Sequence, residues 1–274
     1  MAPTAWLASY PKSGNTWIRA MLNALEADSE PDLHSMDLGS GHDGLGAWLG
    51  VSLSNLDAPE ASQVQRRSWA SADSAGKPYI RRKTHIPWSS AADGFATHWQ
   101  PLGSRAIYIA RDPRAVAVSW AHHNGFSHEE AVESLAGSRE PGSQVRMPHL
   151  AHGRPDPGCW TAHVKSWQEQ THIPVHFLTY EQLSTQPVPS LAAIADWLGI
   201  RVDEQACARA VERCTFSRLL AREATEGFAE AASVDRVFFR RGTTDSWREE
   251  LSADLAARIE NDHAVMMREL GYLN

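Results

Sequence analysis

The sequence predicts an α/β fold: a single domain in which helices flank a central parallel sheet and a P-loop-like phosphate-binding loop follows the first strand. Short apolar runs alternate with helical patterns, as in parallel sheets with helical crossovers. The strand-like runs are residues 5–10, 78–84, 105–110 and 174–179. Polar residues follow these runs, and no repeat or linker divides the chain. We therefore expect one domain over 1–274, with its ligand at the carboxyl edge of the sheet.

The first strand leads into residues 10–17, which read YPKSGNTW. Apolar residues at helical spacing follow, from Ile18 to Leu25. A strand, a turn of small residues and a helix together place backbone N–H groups and the positive helix end around a phosphate. The usual nucleotide loop has its lysine directly after a second glycine. Here Lys12 precedes Gly14 by two residues, which disfavours a kinase or NTPase.

Residues 82–87, which read RKTHIP, follow the second strand-like run. An acceptor hydroxyl is a weak nucleophile until a base takes its proton, and histidine, with an ordinary pKa of about 6.5, suits that task near neutral pH. The chain has 13 histidines, so a single one is more often a surface or structural residue. Only its position after a strand, beside Lys83, singles out His85.

The third strand-like run ends at Arg111, and Pro113 stands where a helix can start. Arginine can grip a terminal phosphate in bidentate fashion. Taken alone, however, Arg111 is better explained as a helix-entry arginine paired with Asp112 or another carboxylate.

The C-terminal part combines helical patterns with an arginine motif. Residues 238–247 read FFRRGTTDSW. The helical patterns cover 187–199, 203–220 and Ala253–Leu270, the last capped by Ser252 and ended by Gly271. These helical patterns, together with the strand-like runs, give the α/β pattern of the whole chain.

These four motifs, in this order, resemble the donor site of the cytosolic-type sulfotransferase family, whose donor is 3′-phosphoadenosine 5′-phosphosulfate (PAPS). The resemblance implies PAPS as co-substrate, adenosine 3′,5′-bisphosphate (PAP) as product, and no metal. It assigns the 5′-phosphosulfate to the loop residues Lys12, Ser13, Gly14, Asn15 and Thr16. It assigns the 3′-phosphate to Arg111, Ser119, Arg240, Arg241 and Gly242. It assigns the adenine to Trp17, Tyr180 and Phe216.

The resemblance also implies catalytic roles. His85 is expected to be the base, Lys12 to stabilise the leaving phosphate, Lys83 to hold the transferring group, and Ser119 to modulate Lys12. The C-terminal motif departs from the family pattern, because Arg241 replaces a lysine and Asp245 and Ser246 replace a glycine and an aspartate. Asp245 places a carboxylate near a phosphate unless it turns to solvent or pairs with an arginine.

Composition narrows the classes of partner. The net charge is −7, which gives no electrostatic reason to expect nucleic acid. No apolar run approaches the roughly 18–20 residues that span a bilayer, so we expect no membrane insertion and a cytoplasmic protein. The three cysteines and the paired histidines lack the spacing of a disulfide framework or a metal site. The oligomeric state stays open.

Three irregular segments, 29–77, 123–158 and 222–237, are candidates for the acceptor pocket and its lid, because long loops in a compact domain often carry function. Tryptophans in or beside them are either pocket-lining or core residues, with core favoured for each: Trp48, Trp69, Trp88 and Trp160.

The sequence therefore predicts a sulfotransferase that moves a sulfuryl group from PAPS to a hydroxyl of a small-molecule acceptor. Only four of the 26 basic residues are lysine, which suggests a GC-rich bacterial genome and a tailoring enzyme of secondary metabolism. A phenolic or sugar hydroxyl on a natural-product scaffold is the expected acceptor, with a simple phenol or alcohol as the alternative. The competing functions are a P-loop-like nucleotide kinase and a non-catalytic nucleotide-binding protein.

Overall fold

The structure is a computed structural model. It describes residues 3–34, 79–88, 102–137, 157–228, 230–231 and 237–274. Most of the predicted irregular segments 29–77 and 123–158, and part of 222–237, lie outside these residues, as do Trp48 and Trp69.

Four parallel strands form the sheet: β1 (Thr4–Ser9), β2 (Ile80–Thr84), β3 (Arg105–Ala110) and β4 (Val175–Thr179). Their order is β2-β1-β3-β4. The described chain thus confirms the predicted α/β fold with a central parallel sheet. All six residues of β1 are buried, as expected for a central strand covered on both faces.

The strand order places a topological switch point between β1 and β3. The chain leaves β1 toward β2 on one side and leaves β3 toward β4 on the other. Ligands of open parallel sheets bind at the carboxyl ends of such strands. The residues that follow β1 and β3, including Lys12 and Arg111, lie at this point.

Helices cover both faces of the sheet. Alternate residues of a strand point to opposite faces, so Trp6 packs in one core layer with Tyr108, whereas Leu7 packs in the other with Ile107. The described helices are α1 (Asn15–Ala27), α2 (Pro113–Asn124), α3 (His128–Ala136), α4 (Trp160–Glu169), α5 (Tyr180–Thr185), α6 (Pro187–Trp197), α7 (Glu204–Arg213), α8 (Phe216–Glu226), α9 (Trp247–Glu250), α10 (Ala253–Asp262) and α11 (Ala264–Glu269).

Two helices predicted as continuous are interrupted. The pattern over 203–220 divides into α7 and α8 because Thr215 is extended, with ψ 149°, and starts a new helix. The break leaves the Cys214 carbonyl to accept a hydrogen bond from Trp17 Nε1 at 2.8 Å. The pattern over 253–270 divides at His263, whose φ of −120° ends α10 and whose Nδ1 lies 2.9 Å from Thr161 Oγ1.

Parts of two segments predicted to be irregular are helical. Within 123–158, α3 forms because Ser127 and Glu130 make a reciprocal capping box and three apolar residues bury one face. Those residues are Ala131, Val132 and Leu135. Within 222–237, α8 continues to Glu226. The prediction of loop structure at these positions was wrong because capping and packing outweighed the polar composition.

Candidate active site at the carboxyl edge of the sheet

The loop between β1 and α1 has the backbone of an anion cradle. Asn15 Nδ2 donates to the Leu7 carbonyl at 2.8 Å, which ties the start of α1 back to β1. Lys12 and Gly14 both have positive φ, 65° and 103°. The N–H groups of the first helical turn have no partner within the helix and carry its positive end. The loop therefore presents donors for an anion where the sequence predicted them.

Gly14 is required by both its backbone and its surroundings. A Cβ at this position would lie 2.6 Å from Tyr180 Cδ2 and 3.1 Å from Ile109 Cδ1. The φ of 103° is also strained for any residue with a side chain. The loop can thus approach Tyr180 closely only because residue 14 is glycine.

Lys12 is a lysine with an unusually low proton affinity. Its Nζ lies 3.6 Å from the centroid of the Phe238 ring, which excludes water and provides a cation–π contact. Burial lowers the pKa of Lys12 to about 7, with the nearby charges of Arg111 and Lys83 acting in the same direction and Glu230 opposing them. The side chain therefore titrates near neutral pH unless an anion binds beside it.

His85 is held as a neutral imidazole. Its Nδ1 lies 2.9 Å from the Ser9 carbonyl and 3.2 Å from Ser9 Oγ. A carbonyl only accepts, so we assign the ring proton to Nδ1, which leaves the lone pair on Nε2. Burial, reinforced by the charge of Lys83, lowers the pKa of His85 well below its ordinary 6.5. The ring is thus unprotonated at neutral pH and can accept a proton at Nε2.

A second, fully buried histidine fixes the backbone at His85. His163 Nε2 lies 3.3 Å from the His85 carbonyl, and its Nδ1 lies 2.8 Å from Tyr108 Oη. Burial lowers the pKa of His163 to about 3, so this ring is neutral as well. His163 therefore donates to the His85 carbonyl and accepts from the Tyr108 hydroxyl, which orients the segment that carries His85.

Lys83 points at a carboxylate that the sequence analysis did not anticipate. Its Nζ lies 2.9 Å from Glu230 Oε1, while Glu230 Oε2 lies 2.7 Å from Arg19 Nη2. Thr16 Oγ1 donates to the same Oε2 at 3.2 Å. Burial would raise the pKa of Glu230, but Lys83 and Arg19 outweigh it and hold that pKa well below its ordinary range.

Arg111 links three parts of the site. Its guanidinium donates to the Lys12 carbonyl at 2.9 Å and to the Thr243 carbonyl at 3.2 Å. It also lies 4.3 Å from the centroid of the Tyr180 ring. The predicted 3′-phosphate arginine thus joins the first loop, the adenine-side tyrosine and the C-terminal motif. The alternative pairing with Asp112 is not formed, because Asp112 binds Arg114 instead, at 2.7 Å.

The predicted adenine residues lie together on one side of the loop. Trp17 and Tyr180 have ring centroids 5.8 Å apart. The Tyr180 hydroxyl donates to the Gly242 carbonyl at 3.3 Å, and the Phe216 ring lies so close to Gly242 that a Cβ there would approach within 2.3 Å. Ser119 lies half-buried on α2, eight residues after Arg111.

The arginines of the C-terminal motif are paired with carboxylates of α9. Arg240 makes a bidentate pair with Glu250, at 2.6 and 2.7 Å, and Arg241 lies 2.9 Å from Glu249. Asp245 is exposed and lies 3.5 Å from Arg248, so it both turns to solvent and pairs with an arginine.

The chemistry of these donors fits the PAPS molecule. Within the described residues, two buried donors of the loop and its neighbour have no hydrogen-bond partner: Ser13 Oγ and Arg111 Nε. Buried polar groups are nearly always paired. Hydroxyl and guanidinium donors beside free helix N–H groups are the partners that a phosphate takes.

Two tryptophans beside the predicted acceptor segments belong to the core. Trp88 and Trp160 are core residues, 8% and 0% exposed, in the layer that contains Trp6.

Across the described residues, no cluster of three or more His, Cys, Asp or Glu side chains is placed to hold a metal. None of the described helices has the length and apolar character needed to cross a bilayer.

Sequence reasoning missed Arg19, Phe238 and Glu230. The sequence did contain a signal for Arg19. A residue three positions after Thr16 lies on the same face of α1, so its side chain could be placed near the loop. Phe238 adjoins the arginine motif. No local pattern connects Glu230 to Arg19, which is 211 residues away.

Comparison with known proteins gives a consistent result. The family described as "Sulfotransferase domain" matches residues 2–271. Cytosolic sulfotransferase 16 of Arabidopsis thaliana is 27% identical over 99% of this chain and 78% of its own length. Flavonol 3-sulfotransferase of Flaveria bidentis is 25% identical over 93% of this chain and 78% of its own.

Solved structures agree at the level of the fold. Retinol dehydratase, in complex with androsterone and the inactive cofactor PAP, has a TM-score of 0.66 at 22% identity, over 97% of this chain and 81% of its own. Mouse sulfotransferase SULT7A1, complexed with PAP, has a TM-score of 0.62 at 20% identity, over 97% and 85%. The family match favours a sulfotransferase over the nucleotide kinase. The chain belongs to the sulfotransferase family and is a PAPS-dependent enzyme of that family.

Proposed function

We propose that this enzyme sulfates a hydroxyl group of a small-molecule acceptor, with His85 as the general base. The observation that carries the proposal is the fixed tautomer of His85. The ring donates its Nδ1–H to the Ser9 carbonyl, and burial keeps the ring neutral. Nε2 is therefore the basic atom, and the charge of the nearby Lys83 also disfavours protonation of this ring. The acceptor O–H gives its proton to Nε2.

When bound, PAPS supplies the sulfuryl group, which forms a bond to the acceptor oxygen as its bond to the phosphate oxygen breaks and PAP leaves. Lys12 provides positive charge for the leaving phosphate, where negative charge builds up. Lys83 positions the transferring group. The N–H groups of residues 13–16 hold the 5′-phosphate. Ser119 and Arg111 hold the 3′-phosphate, together with the 240–242 segment.

Adenine binding is assigned to the aromatic group beside the loop, Trp17, Tyr180 and Phe216. Trp17 is anchored by its bond to Cys214, and Tyr180 by its bond to Gly242, so two of the rings are pre-oriented. Pre-oriented aromatic rings lose little side-chain entropy when a base stacks on them.

For the acceptor, we propose a phenolic or sugar hydroxyl on a natural-product scaffold, and we place the enzyme in the cytoplasm. The name of the flavonol 3-sulfotransferase relative supports a phenol-type acceptor, and that of cytosolic sulfotransferase 16 supports the location. A simple phenol or alcohol is the alternative. Mass spectrometry of reactions with a panel of such acceptors would detect a sulfo adduct.

Two measurements test the proposal. Calorimetric titration with PAP, ATP and adenosine 5′-monophosphate should show a preference for PAP that depends on the 3′-phosphate. His85→Ala should lower turnover by about 10²–10⁴-fold, the range of a lost general base, while PAP binding is retained. His172→Ala is the matched control, because His172 lies outside the site and stacks on Trp88. Normal turnover in His85→Ala would refute the base assignment, and preference for ATP would refute the donor site.

A further inference from the structure

The carboxylate of Glu230 is bound like a ligand within the donor site. One oxygen contacts Lys83 Nζ at 2.9 Å. The other contacts Arg19 Nη2 at 2.7 Å and Thr16 Oγ1 at 3.2 Å. Arg19 also donates to Thr16 Oγ1 at 3.0 Å, so the three partners form one continuous group of donors. A guanidinium, an ammonium and a hydroxyl converging on two oxygens are the contacts of a bound oxyanion.

All three partners belong to the phosphosulfate end of the site. Thr16 is in the first turn of α1, Arg19 lies three residues further on the same face, and Lys83 is two residues before His85. The side chain of Arg19 is 2% exposed, so its guanidinium is committed to this place. The same loop also holds the buried hydroxyl of Ser13, which has no hydrogen-bond partner among the described residues.

A purely structural ion pair explains these contacts less well. Glu230 is distant in sequence from Arg19 and Lys83, yet its carboxylate pairs with both cations. Both cations lie beside residues to which donor binding is assigned. Its charge also raises the pKa of Lys12, which burial, Arg111 and Lys83 lower. Glu230 therefore compensates the positive charge of this end of the site, which is the effect that an anionic ligand would have.

We propose that Arg19 joins Thr16 and Lys83 at the 5′-phosphosulfate end of the donor site, and that Glu230 is an internal anion that competes with the donor for these three residues. Arg19 is then a further donor-binding residue. This inference rests on the placement of the donor under Proposed function. A ligand that must displace an internal competitor binds with an affinity reduced by the fraction of molecules in which the site is open.

The test is calorimetric titration of the full-length protein with PAP, comparing wild type with Glu230→Gln. If the carboxylate holds the site in about nine-tenths of molecules, its removal should tighten PAP binding roughly tenfold. Adenosine 3′-monophosphate, which lacks the 5′-phosphate, should show no such gain. Glu226→Gln is the matched control, because it removes the same charge from an exposed pair with Arg222. It should leave PAP binding nearly unchanged, since exposed charges are screened.

A double-mutant cycle tests the role of Arg19. Arg19→Gln should weaken PAP binding, and the gain from Glu230→Gln should largely disappear in the Arg19→Gln background. Thermal unfolding without ligand checks that each variant folds. If Arg19→Gln does not fold, Arg19→Met, which also removes the charge but keeps much of the side-chain volume, replaces it. Glu230→Asp, which is too short to reach both cations, replaces Glu230→Gln, with a gain expected in the same direction.

Three results would overturn the inference: unchanged or weaker PAP binding in Glu230→Gln, an equal gain for adenosine 3′-monophosphate, or an undiminished gain without Arg19. Each of these leaves the donor site in place, because wild type still binds PAP. Failure of wild type and every variant to bind PAP would instead refute the donor placement under Proposed function, and the internal competitor with it.

Discussion

The protonation of Lys12 should make PAP binding strongly dependent on pH between 7 and 9. Burial beneath Phe238 lowers the pKa of Lys12 to about 7 in the ligand-free protein. An anion beside the ammonium favours the protonated form, so binding is strongest where Lys12 is charged and weakens as pH rises above 7. His85 does not contribute, because its pKa is well below 6.5 and the ring is neutral over this range.

The size of the effect follows from the protonation of Lys12 in the free protein and in the complex. A phosphate about 4 Å from the ammonium, at an effective dielectric constant of about 20, stabilises the charged form by roughly 4 kcal/mol. Lys12 would therefore stay protonated in the complex throughout this pH interval. Between pH 7 and pH 9 the protonated fraction of free protein falls from about one half to about one hundredth, so the affinity should fall about 50-fold. The phosphates of PAP, with second pKa values near 6, change little in this interval.

The assay is calorimetric titration with PAP at pH 7, 8 and 9 and constant ionic strength, on wild type and Lys12→Met. The methionine variant should bind more weakly at pH 7 and lose most of the pH dependence. A wild-type affinity that changes less than about threefold over this range would refute the low pKa of Lys12. An equally steep fall in Lys12→Met would assign the titration to another group.

Three further outcomes are expected. Gly14→Ala should destabilise the fold by about 1–3 kcal/mol and abolish PAP binding, because the added Cβ would clash with Tyr180. Gly199→Ala is the control, because Gly199 also has a positive φ, 69°, but is surrounded by open space and so carries the backbone strain alone. Thermal unfolding and calorimetric titration of the two variants measure these effects. Turnover measured against pH should show no loss between pH 7 and 6 from protonation of His85, because its pKa is already depressed. Arg114→Gln should cost about 3–5 kcal/mol in urea unfolding, because it leaves the buried Asp112 carboxylate without its 2.7 Å partner.

Three of the predicted site residues share a simple geometric property. Lys12, His85 and Arg111 each follow a strand-like run, and parallel strands end at the same edge of a sheet. Once the strands are placed, these side chains converge without further information. Lys12 and Arg111 do meet, through the bond from Arg111 to the Lys12 carbonyl.

What the sequence did not predict depends on packing between distant segments. The depressed pKa of Lys12 comes largely from burial, with the ring of Phe238 at 3.6 Å, and neither is visible in the local string. The bond from His163 to the His85 carbonyl requires α4 to cross the end of β2. The interruption at Thr215 is a tertiary effect too, since the carbonyl just before it receives the Trp17 indole.

The distribution of counter-charges explains why one cation of this site titrates near neutral pH. Arg19 and Lys83 share Glu230, and Arg240 has a bidentate pair with Glu250. Lys12 differs: among the described residues it contacts an aromatic face, and no carboxylate lies within ion-pair distance of its Nζ. A ring quadrupole compensates a buried ammonium less than a carboxylate does. If the donor binds as proposed, its 5′-phosphate supplies this counter-charge, so donor binding should raise the protonated fraction of Lys12 where leaving-group charge must be stabilised.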